Sequence, residues 1–458
     1  MAEDKERRPG KRAPSLPSTP SSSGAPPAPG AGSPVELRSG APKGTPARRS
    51  GRLAALRHRN FRLLWSGLVV SNTGSSMQVA AILWHVSLLA PPGRKAFALG
   101  LVGLFRILPI VLLSLAGGIV ADAHDRRRVL LFSQSWMAAV SAFLAWATFS
   151  GHASLGLVYA VSALTAAAGA FDGPARQSLA PNLVPPADLP NAISLNSIMF
   201  QIAAVLGPSL GGLVIARFGV PWAYAANAVS YLAVIGALLA MRRVPVRPAE
   251  EAPRVSWRAA SEGFRFVFRT PAIRGSMLLD FFATFFSSAT ALLPLFAQDI
   301  LRVGPRGYGG LYAAPSVGAL LAGAAMVHWI ERIERRGRVL FLAVFGYGLA
   351  TVIFGVSRFY GLTFLALALT GATDSVSTIL RNVIRLVDTP DSLRGRMVSV
   401  NMIFFMGGPQ LGELEAGTVA QALGAPFSVI SGGIACVLAT WWIAARTPQL
   451  WRYRRAGS

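Results

Sequence analysis

The chain has 458 residues, of which 52% are apolar and only 14% charged, with 44 Lys and Arg against 20 Asp and Glu. That charge share is about half of what a soluble globular domain carries, which excludes one large soluble domain or two ordinary ones. A single cysteine, Cys436, excludes a disulfide framework and a cysteine-based metal site; no metal or other cofactor is expected.

Residues 1–60 form a basic tail rich in Pro, Ser and Gly. The tail lacks the apolar content to build a core and is expected to be disordered. Its charged start has no apolar segment of the kind a cleavable signal needs. From Phe61 onward the pattern changes. A bilayer core of ~30 Å requires ~20 apolar residues in a helix. Twelve such stretches follow: 63–89, 97–120, 129–149, 154–171, 191–218, 222–241, 275–298, 307–330, 339–356, 361–380, 399–423 and 426–445. The longest connection, 242–274, lies between spans six and seven. Within it Trp257, Ala260, Phe264 and Val267 recur at helical spacing after Ser256, which predicts an amphipathic helix on the membrane surface. The expected order is therefore tail 1–60, a first bundle 61–241, a linker 242–274, a second bundle 275–446 and a tail 447–458.

The basic residues sort by side. Arg94, Lys95, Arg217, Arg302, Arg306 and Arg358 fall on one side and Arg106 inside a span; the others fall on the tails and the alternate loops. Positive residues stay cytoplasmic, so both termini are expected inside a multi-pass cell membrane. The basic excess records topology, and no nucleic-acid partner follows from it.

The two halves repeat. Span four ends Gly169-Ala-Phe-Asp172 and is followed by Arg176; span ten carries Gly371-Ala-Thr-Asp374, followed by Arg381. Span five contains Gly207-Pro208-Ser-Leu-Gly211-Gly212 and span eleven Gly408-Pro409-Gln-Leu-Gly412, at nearly the same offset. Two six-helix halves with a substrate site near the midplane between them are the pattern of secondary transporters. Asp172 with Arg176 and Asp374 with Arg381 are expected to pair as hinges near the cytoplasmic helix ends.

The loop after span two reads Gly117-Gly118-Ile-Val-Ala-Asp122-Ala-His-Asp125-Arg126-Arg127-Arg128. It resembles the loop motif G-x-x-x-D-x-x-G-R-[KR] of the major facilitator superfamily, with Gly118, Asp122, Arg126 and Arg127 on the motif and Asp125 in place of its second glycine. Gly207, Pro208, Gly211 and Gly212 resemble the core of that superfamily's antiporter motif. Leu56–Trp65, Arg106-Ile-Leu-Pro109, Gly173-Pro-Ala-Arg176 and Arg394–Asn401 extend the likeness to the exporter branch that includes the enterobactin exporter and related drug efflux proteins. The resemblance covers about residues 52–446. It implies an all-α membrane fold of twelve transmembrane helices in two pseudo-symmetric six-helix bundles, working by alternating access.

Ionisable groups inside spans cost ~2.5–3.5 kcal/mol each on insertion scales and are functional candidates. Arg106 lies nine residues from the outer end of span two and Glu413 ten from that of span eleven, so both sit ~13–15 Å deep at the helical rise. Arg106 is therefore expected to pair with Glu413 or Glu415 and to close the outer side when the inner side is open. Glu413 shares a helical arc with Met402, Met406, Gln410, Gly417 and Gln421, while Glu415 falls with Asn401, Gly408 and Gly412. That places the protonatable group at Glu413, with Glu415 as the alternative. Asn72, Gln78, Gln201 and Asn227, with Met402, Met406 and Gln410, are candidates for a substrate path. Asp280, five residues into span seven, is expected to reach the headgroups.

These readings converge on a secondary transporter, not an enzyme. It exports a small amphipathic, drug- or siderophore-like compound in exchange for protons, and is expected to work in the bilayer as a monomer. No G-x-x-x-x-G-K-[ST] appears, so nucleotide coupling is not expected. A nutrient importer or uniporter of the same fold, or a non-transporting sensor or scaffold, are the alternatives.

Overall fold

A computed structural model of the chain describes residues 53–242, 257–390 and 393–455; among these residues there is helix and no strand. Six long helices come first: α1 (Arg59–Leu89), α2 (Lys95–Ala123), α3 (Arg126–Phe149), α4 (Leu155–Leu179), α5 (Leu189–Phe218) and α6 (Val220–Ala240). A short α7 (Trp257–Arg269) leads into α8 (Pro271–Phe286) and the single turn α9 (Leu293–Leu295). Then come α10 (Gly304–Trp329), α11 (Arg336–Val356), α12 (Tyr360–Asp388), α13 (Arg394–Leu423), α14 (Ala425–Arg446) and a last turn, α15 (Pro448–Trp451).

Among the described residues, ten of these helical stretches are long and apolar enough to cross a membrane: α2 to α6, the α8–α9 stretch, α10, α11, α12 and α14. α1 and α13 have the length, with 31 and 30 residues, but carry more polar side chains. Large apolar side chains such as Phe132, Trp146, Leu232, Leu342 and Trp441 stand exposed on the outside of the bundle. In lipid that surface needs no burial, so the helices meet instead through small residues and polar contacts.

The helix neighbours repeat between halves. α1 packs on α5 and α6, α2 on α4, and α3 on α4 and α6. In the same pattern α8 packs on α13 and α14, α10 on α12, and α11 on α12 and α14. The halves meet where α2 packs on α13 and α5 on α10, two contacts related by the same repeat. Local chemistry repeats as well. The α5–α6 turn is made by Gly219 at φ 94° and the α13–α14 turn by Gly424 at φ 92°. Each glycine is followed two residues later by a proline in the first turn of the next helix (Pro221, Pro426). Only glycine adopts that backbone without strain, and proline is suited to a helix start.

Several boundaries differ from the hydropathy reading. The predicted tail boundary at residue 60 falls inside ordered structure, because a 3₁₀ turn spans Ala54–Arg57 and α1 begins at Arg59. This entrance is pinned to the start of α5. Ala55 N–H donates to Asn191 Oδ1 at 3.0 Å, and His58 Nε2 lies 2.8 Å from Asp188 Oδ2. Residues 1–52, where the rest of the predicted tail lies, are outside the described residues. α4 and α12 run on past the predicted ends at 171 and 380, and so carry Arg176, Arg381 and Arg385 as helix residues rather than loop residues. Span seven is broken. α8 stops at Phe286, a 3₁₀ turn follows at Ala289–Leu292, and Phe296–Ile300 winds as a π turn. Pro294 removes a backbone donor there. Interrupted backbone at membrane depth is tolerated where it is buried or lines a cavity, and Ser287, Ser288 and Thr290 line one.

The linker helix forms as α7. Val267 is buried with Ile273, Met277, Met397 and Val400, while Phe264 and Phe268 are exposed and stack at 5.9 Å. Arg396 Nη1 pairs with Glu262 Oε2 at 2.5 Å, tying α7 to the start of α13.

Candidate functional site

The described contacts that join the two halves gather at the end of the bundle away from the chain termini. Gly100 of α2 lies against Gly417 of α13 so closely that a Cβ on Gly417 would stand 2.6 Å from the Gly100 Cα. Across the other boundary Gly212 of α5 meets Gly309 of α10, with a Cβ-to-Cα distance of 2.9 Å. Glycine at these four positions lets the helix backbones touch. Polar contacts complete the closure. Gln298 Nε2 donates to Ser87 Oγ at 2.7 Å and the Tyr308 hydroxyl donates to the Ala80 carbonyl at 2.9 Å. The Gln421 amide donates to the Gly93 carbonyl and accepts from Phe97 N–H.

Just inside this closure lies Glu413. It is 9% exposed and sits in the notch left by Gly103 of α2, where a Cβ would stand 2.8 Å from Glu413 Oε2. Glu413 Oε2 and Gln410 Oε1, one turn apart on α13, are both buried without a hydrogen-bond partner. The expected ion pair is not made in this state. Arg106 is near enough for its field to reach Glu413. Yet among the described residues no ion pair within 4.0 Å joins it to Glu413 or Glu415. The closure here is made by glycine contacts and amides instead. The two glutamates do face apart. Gly100, Gly103 and Gly93 of the α2 side meet the Glu413 arc, whereas Gly408 and Gly412 of the Glu415 arc pack on Thr284 and Phe285 of α8.

A second cluster lies wholly within the second bundle. Asp280 of α8, 3% exposed, receives Arg381 Nη1 at 2.7 Å and Arg385 Nη2 at 3.5 Å. Arg381 also reaches Asp374 Oδ1 at 3.4 Å and Thr378 Oγ1 at 2.7 Å. Arg385 is held further by Ser276 Oγ at 3.2 Å and by the Asn401 side chain. Asp280 therefore does not reach the headgroups as its position in the sequence predicted; it is the buried counter-ion of two arginines. A buried charge without such partners costs several kcal/mol. Beside the cluster are two adjoining cavities of about 310 and 230 Å³, which share Thr284, Asp374 and Pro409.

Sequence reasoning missed Arg385 and the role of Asp280. The signal was present: Asp374, Thr378, Arg381 and Arg385 follow helical spacing and form one stripe on α12. The first bundle carries a smaller counterpart. Arg176 Nη2 lies 3.6 Å from Asp172 Oδ2 and its Nη1 donates to Asn72 Oδ1 at 3.4 Å. Asp172 also accepts from Gln134 Nε2 at 2.7 Å and Ser133 Oγ at 3.1 Å.

The remaining candidates divide. Gln78 and Asn227 are 2% and 0% exposed, and Asn227 Nδ2 donates to Gln78 Oε1 at 2.7 Å. They bond α1 to α6 inside the bundle. Asn72 is engaged by Arg176, Gln201 is half-buried, and Met402 is exposed. The side chains of Met406, Gly118 and Asp122 are outside the described set. In the loop motif Asp125 caps α3, accepting from Arg127 N–H at 2.9 Å, so an aspartate does the work of a turn glycine. Arg126 and Arg127 donate to the Ser178 and Leu239 carbonyls at 3.1 and 3.3 Å. Gly207 and Gly211 pack α5 on α1 at Ser76 and Met77, around the buried Pro208. Among the described residues no group of His, Cys, Asp and Glu could hold a metal ion.

Comparison with known proteins places this geometry. A family model described as transmembrane secretion effector matches residues 50–450. The enterobactin exporter EntS of Salmonella choleraesuis (strain SC-B67) is 27% identical over 284 residues, covering 62% of this chain and 67% of that protein. EntS of Escherichia coli O81 (strain ED1a) is 28% identical over the same length and coverage. Among solved structures, a bacterial homologue of the human lysosomal transporter Spinster, inward-facing and unoccupied, superposes with a TM-score of 0.69 at 16% identity, over 87% of this chain and 99% of that one. The nucleoside transporter NupG superposes with a TM-score of 0.65 at 14% identity, over 85% and 100%. At that identity the structures share the fold.

Proposed function

The chain belongs to the transmembrane secretion effector family, transporters of the major facilitator type, and from that premise we propose that it exports a small amphipathic compound in exchange for protons by alternating access. The compound is drug- or siderophore-like, as the similarity to enterobactin exporters suggests. The membrane is the cell (inner) membrane, with both termini in the cytoplasm, and the protein works as a monomer. In this reading the glycine-sealed end is the outer one and the structure is the inward-open state, the state that the Spinster homologue's description gives for that protein.

The observation that carries the proposal is Glu413: a buried carboxylate at the boundary between the halves, with an oxygen lacking any partner, in the notch of Gly103. Such a group is costly to keep ionised in hydrocarbon and is cheaply kept protonated. When the outer end parts, Glu413 meets water and takes up a proton from outside; closure buries it protonated, and it gives the proton up toward the inner side, so proton and compound move in opposite directions. Arg106 stands near enough to take up the ionised carboxylate once the glycine contacts separate. The repeat pairs Asp172–Arg176 and Asp374–Arg381 brace helices on either side while the halves rock.

Proteoliposomes test this. An imposed proton gradient is expected to drive an amphipathic test compound outward, with proton movement in the opposite direction. Glu413→Gln is expected to bind the compound and exchange it passively, but to lose the response to the gradient. A Glu413→Gln protein with full gradient-driven export rejects the assignment.

A further inference from the structure

The cavities of the second bundle are lined by groups with hydrogen-bonding capacity left over. Arg381 lines the larger cavity and is 2% exposed. Its Nη2 is engaged by Asp374 and Thr378 and its Nη1 is ion-paired with Asp280 at 2.7 Å, but neither Nη1 nor Nε makes a hydrogen bond. Gln410 lines the same cavity, and its buried Oε1 has no donor. Phe405 lines the same space, and Phe281 and Phe404 lie behind it with ring centroids 6.0 Å apart.

We infer that this cavity binds the head of an organic anion: a carboxylate or similarly acidic group held on Arg381, with a neighbouring N–H or O–H donor directed at Gln410 and an aryl body against the phenylalanines. The argument is one of unmet hydrogen bonds. A buried donor or acceptor left without a partner costs about 1–3 kcal/mol, so a pair of opposite type facing one cavity favours a ligand that supplies both complements. The guanidinium Nε and terminal nitrogens present a fork that matches a carboxylate.

The charges allow it. Asp280 is locked between two arginines, but Asp374 holds Arg381 only through a 3.4 Å contact, and its side chain is 47% exposed. An incoming anion displaces Asp374 toward water and leaves the Asp280 pairs intact. Together the adjoining cavities reach the roughly 300–1,000 Å³ of small-ligand pockets. Gln410 is one turn from Glu413, so an occupied cavity lies next to the carboxylate that the export reading protonates.

The inference deepens the export reading by naming a substrate class, yet its test needs only equilibrium binding. Failure of proton-driven export therefore leaves it standing, and its own failure leaves export standing. The probe is N-benzoylglycine, which has a carboxylate, an amide N–H and a ring; binding is measured on the purified intact chain by calorimetry. Its methyl ester removes the charge and N-benzoylsarcosine removes the N–H. The acid is expected to bind, the ester about tenfold or more weaker, and the N-methyl acid several-fold weaker. Gln410→Met is expected to abolish the penalty for N-methylation while keeping the preference for the acid over the ester. Arg381→Gln, checked for a monodisperse fold in detergent, is expected to lose the acid preference. Should that variant fail to fold, the comparison of acid with ester in the intact chain decides. Equal binding of acid and ester, no binding of the acid up to ~10 mM, or a folded Arg381→Gln protein that keeps the acid preference overturns the inference.

Discussion

Replacing Gly417 by alanine adds one methyl group at the point where α13 touches α2. The new Cβ would lie 2.6 Å from the Gly100 Cα and 2.7 Å from the Ala96 carbonyl oxygen, where 3.4–4 Å is ordinary contact. Both obstacles are backbone, so no rotamer relieves the clash and the helices must part by ~1 Å. Overpacking of this kind costs about 1–3 kcal/mol. The gain in helix propensity from Gly to Ala, ~1 kcal/mol, acts equally whether the end is open or closed and cancels from that equilibrium. The closed end is therefore expected to lose roughly 5- to 150-fold in population relative to a state in which α2 and α13 separate. The assay is a distance distribution between spin labels on Arg94→Cys and Leu423→Cys, which flank the contact; Cys436 is 1% exposed and stays unlabelled. A longer-distance population is expected to grow in Gly417→Ala. Gly156→Ala, a site with nothing within 4 Å of the added Cβ, is expected to leave the distribution as it was. An unchanged distribution in folded Gly417→Ala protein refutes the claim that backbone contact at these glycines sets the closure.

Other predictions follow from single contacts. Asp280→Asn leaves Arg381 and Arg385 without their shared carboxylate and is expected to cost about 3–5 kcal/mol, read as a drop in thermal midpoint in detergent; an unchanged midpoint contradicts the buried network. Asn227→Leu strands the Gln78 amide and is expected to cost about 1–3 kcal/mol, read as a drop in thermal midpoint in detergent; an unchanged midpoint contradicts the buried pair. Tyr453 donates its hydroxyl to Asp388 Oδ1 at 2.7 Å; burial, then the neighbouring carboxylate, hold its pKa above the usual tyrosine range, so it stays neutral and bonded. Tyr453→Phe is accordingly expected to speed amide exchange at Arg455 and Gly337, whose N–H groups donate to the Glu334 and Tyr453 carbonyls, without altering exchange in the rest of α11.

What the sequence revealed depended on which physical signal each feature left. The repeat was legible because the paired Gly-Pro segments are packing requirements, and the structure puts Gly207 and Gly211 on α1 and Gly408 and Gly412 on α8, which are corresponding helix contacts; of the Gly-x-x-Asp pair, Gly371 packs on Pro315 while Gly169 meets nothing among the described residues. Glu413 was legible because a lone carboxylate in an apolar stretch is conspicuous by its cost. The Asp280 network was not, because a hydropathy window closes at the first cluster of charges. α12 was cut at residue 380, one residue before Arg381, although the helix continues to Asp388 with its charges turned inward. The Arg106 pairing failed for a different reason. Equal depth and a shared boundary bring Glu413 against α2 at Gly103, but an ion pair also needs the two side chains to meet, and in this structure Glu413 Oε2 lies in the Gly103 notch with no ion pair to Arg106.

The two halves share a clamp but differ in its chemistry, and the difference bears on where ligand chemistry can reside. In the first half Arg176 joins α4 to α1 through Asn72, an amide that binds the guanidinium without neutralising it, and Asp172 supplies the one negative charge. In the second half the corresponding partner on α8 is Asp280, a carboxylate, and α12 supplies two arginines. An amide partner leaves the first clamp with one cation and one anion. The carboxylate of the second clamp is shared by two guanidinium groups, while Arg381 also keeps Asp374 and Thr378 of its own helix through Nη2. Burying an extra Arg–Asp pair is at best neutral for stability. Retaining it beside a cavity, with Nε–H unsatisfied, is economical only if something else completes the hydrogen bonds for part of the cycle. The pseudo-twofold fold thus supplies two equivalent places for such a clamp, and in this chain the second has both the surplus cation and a cavity beside it.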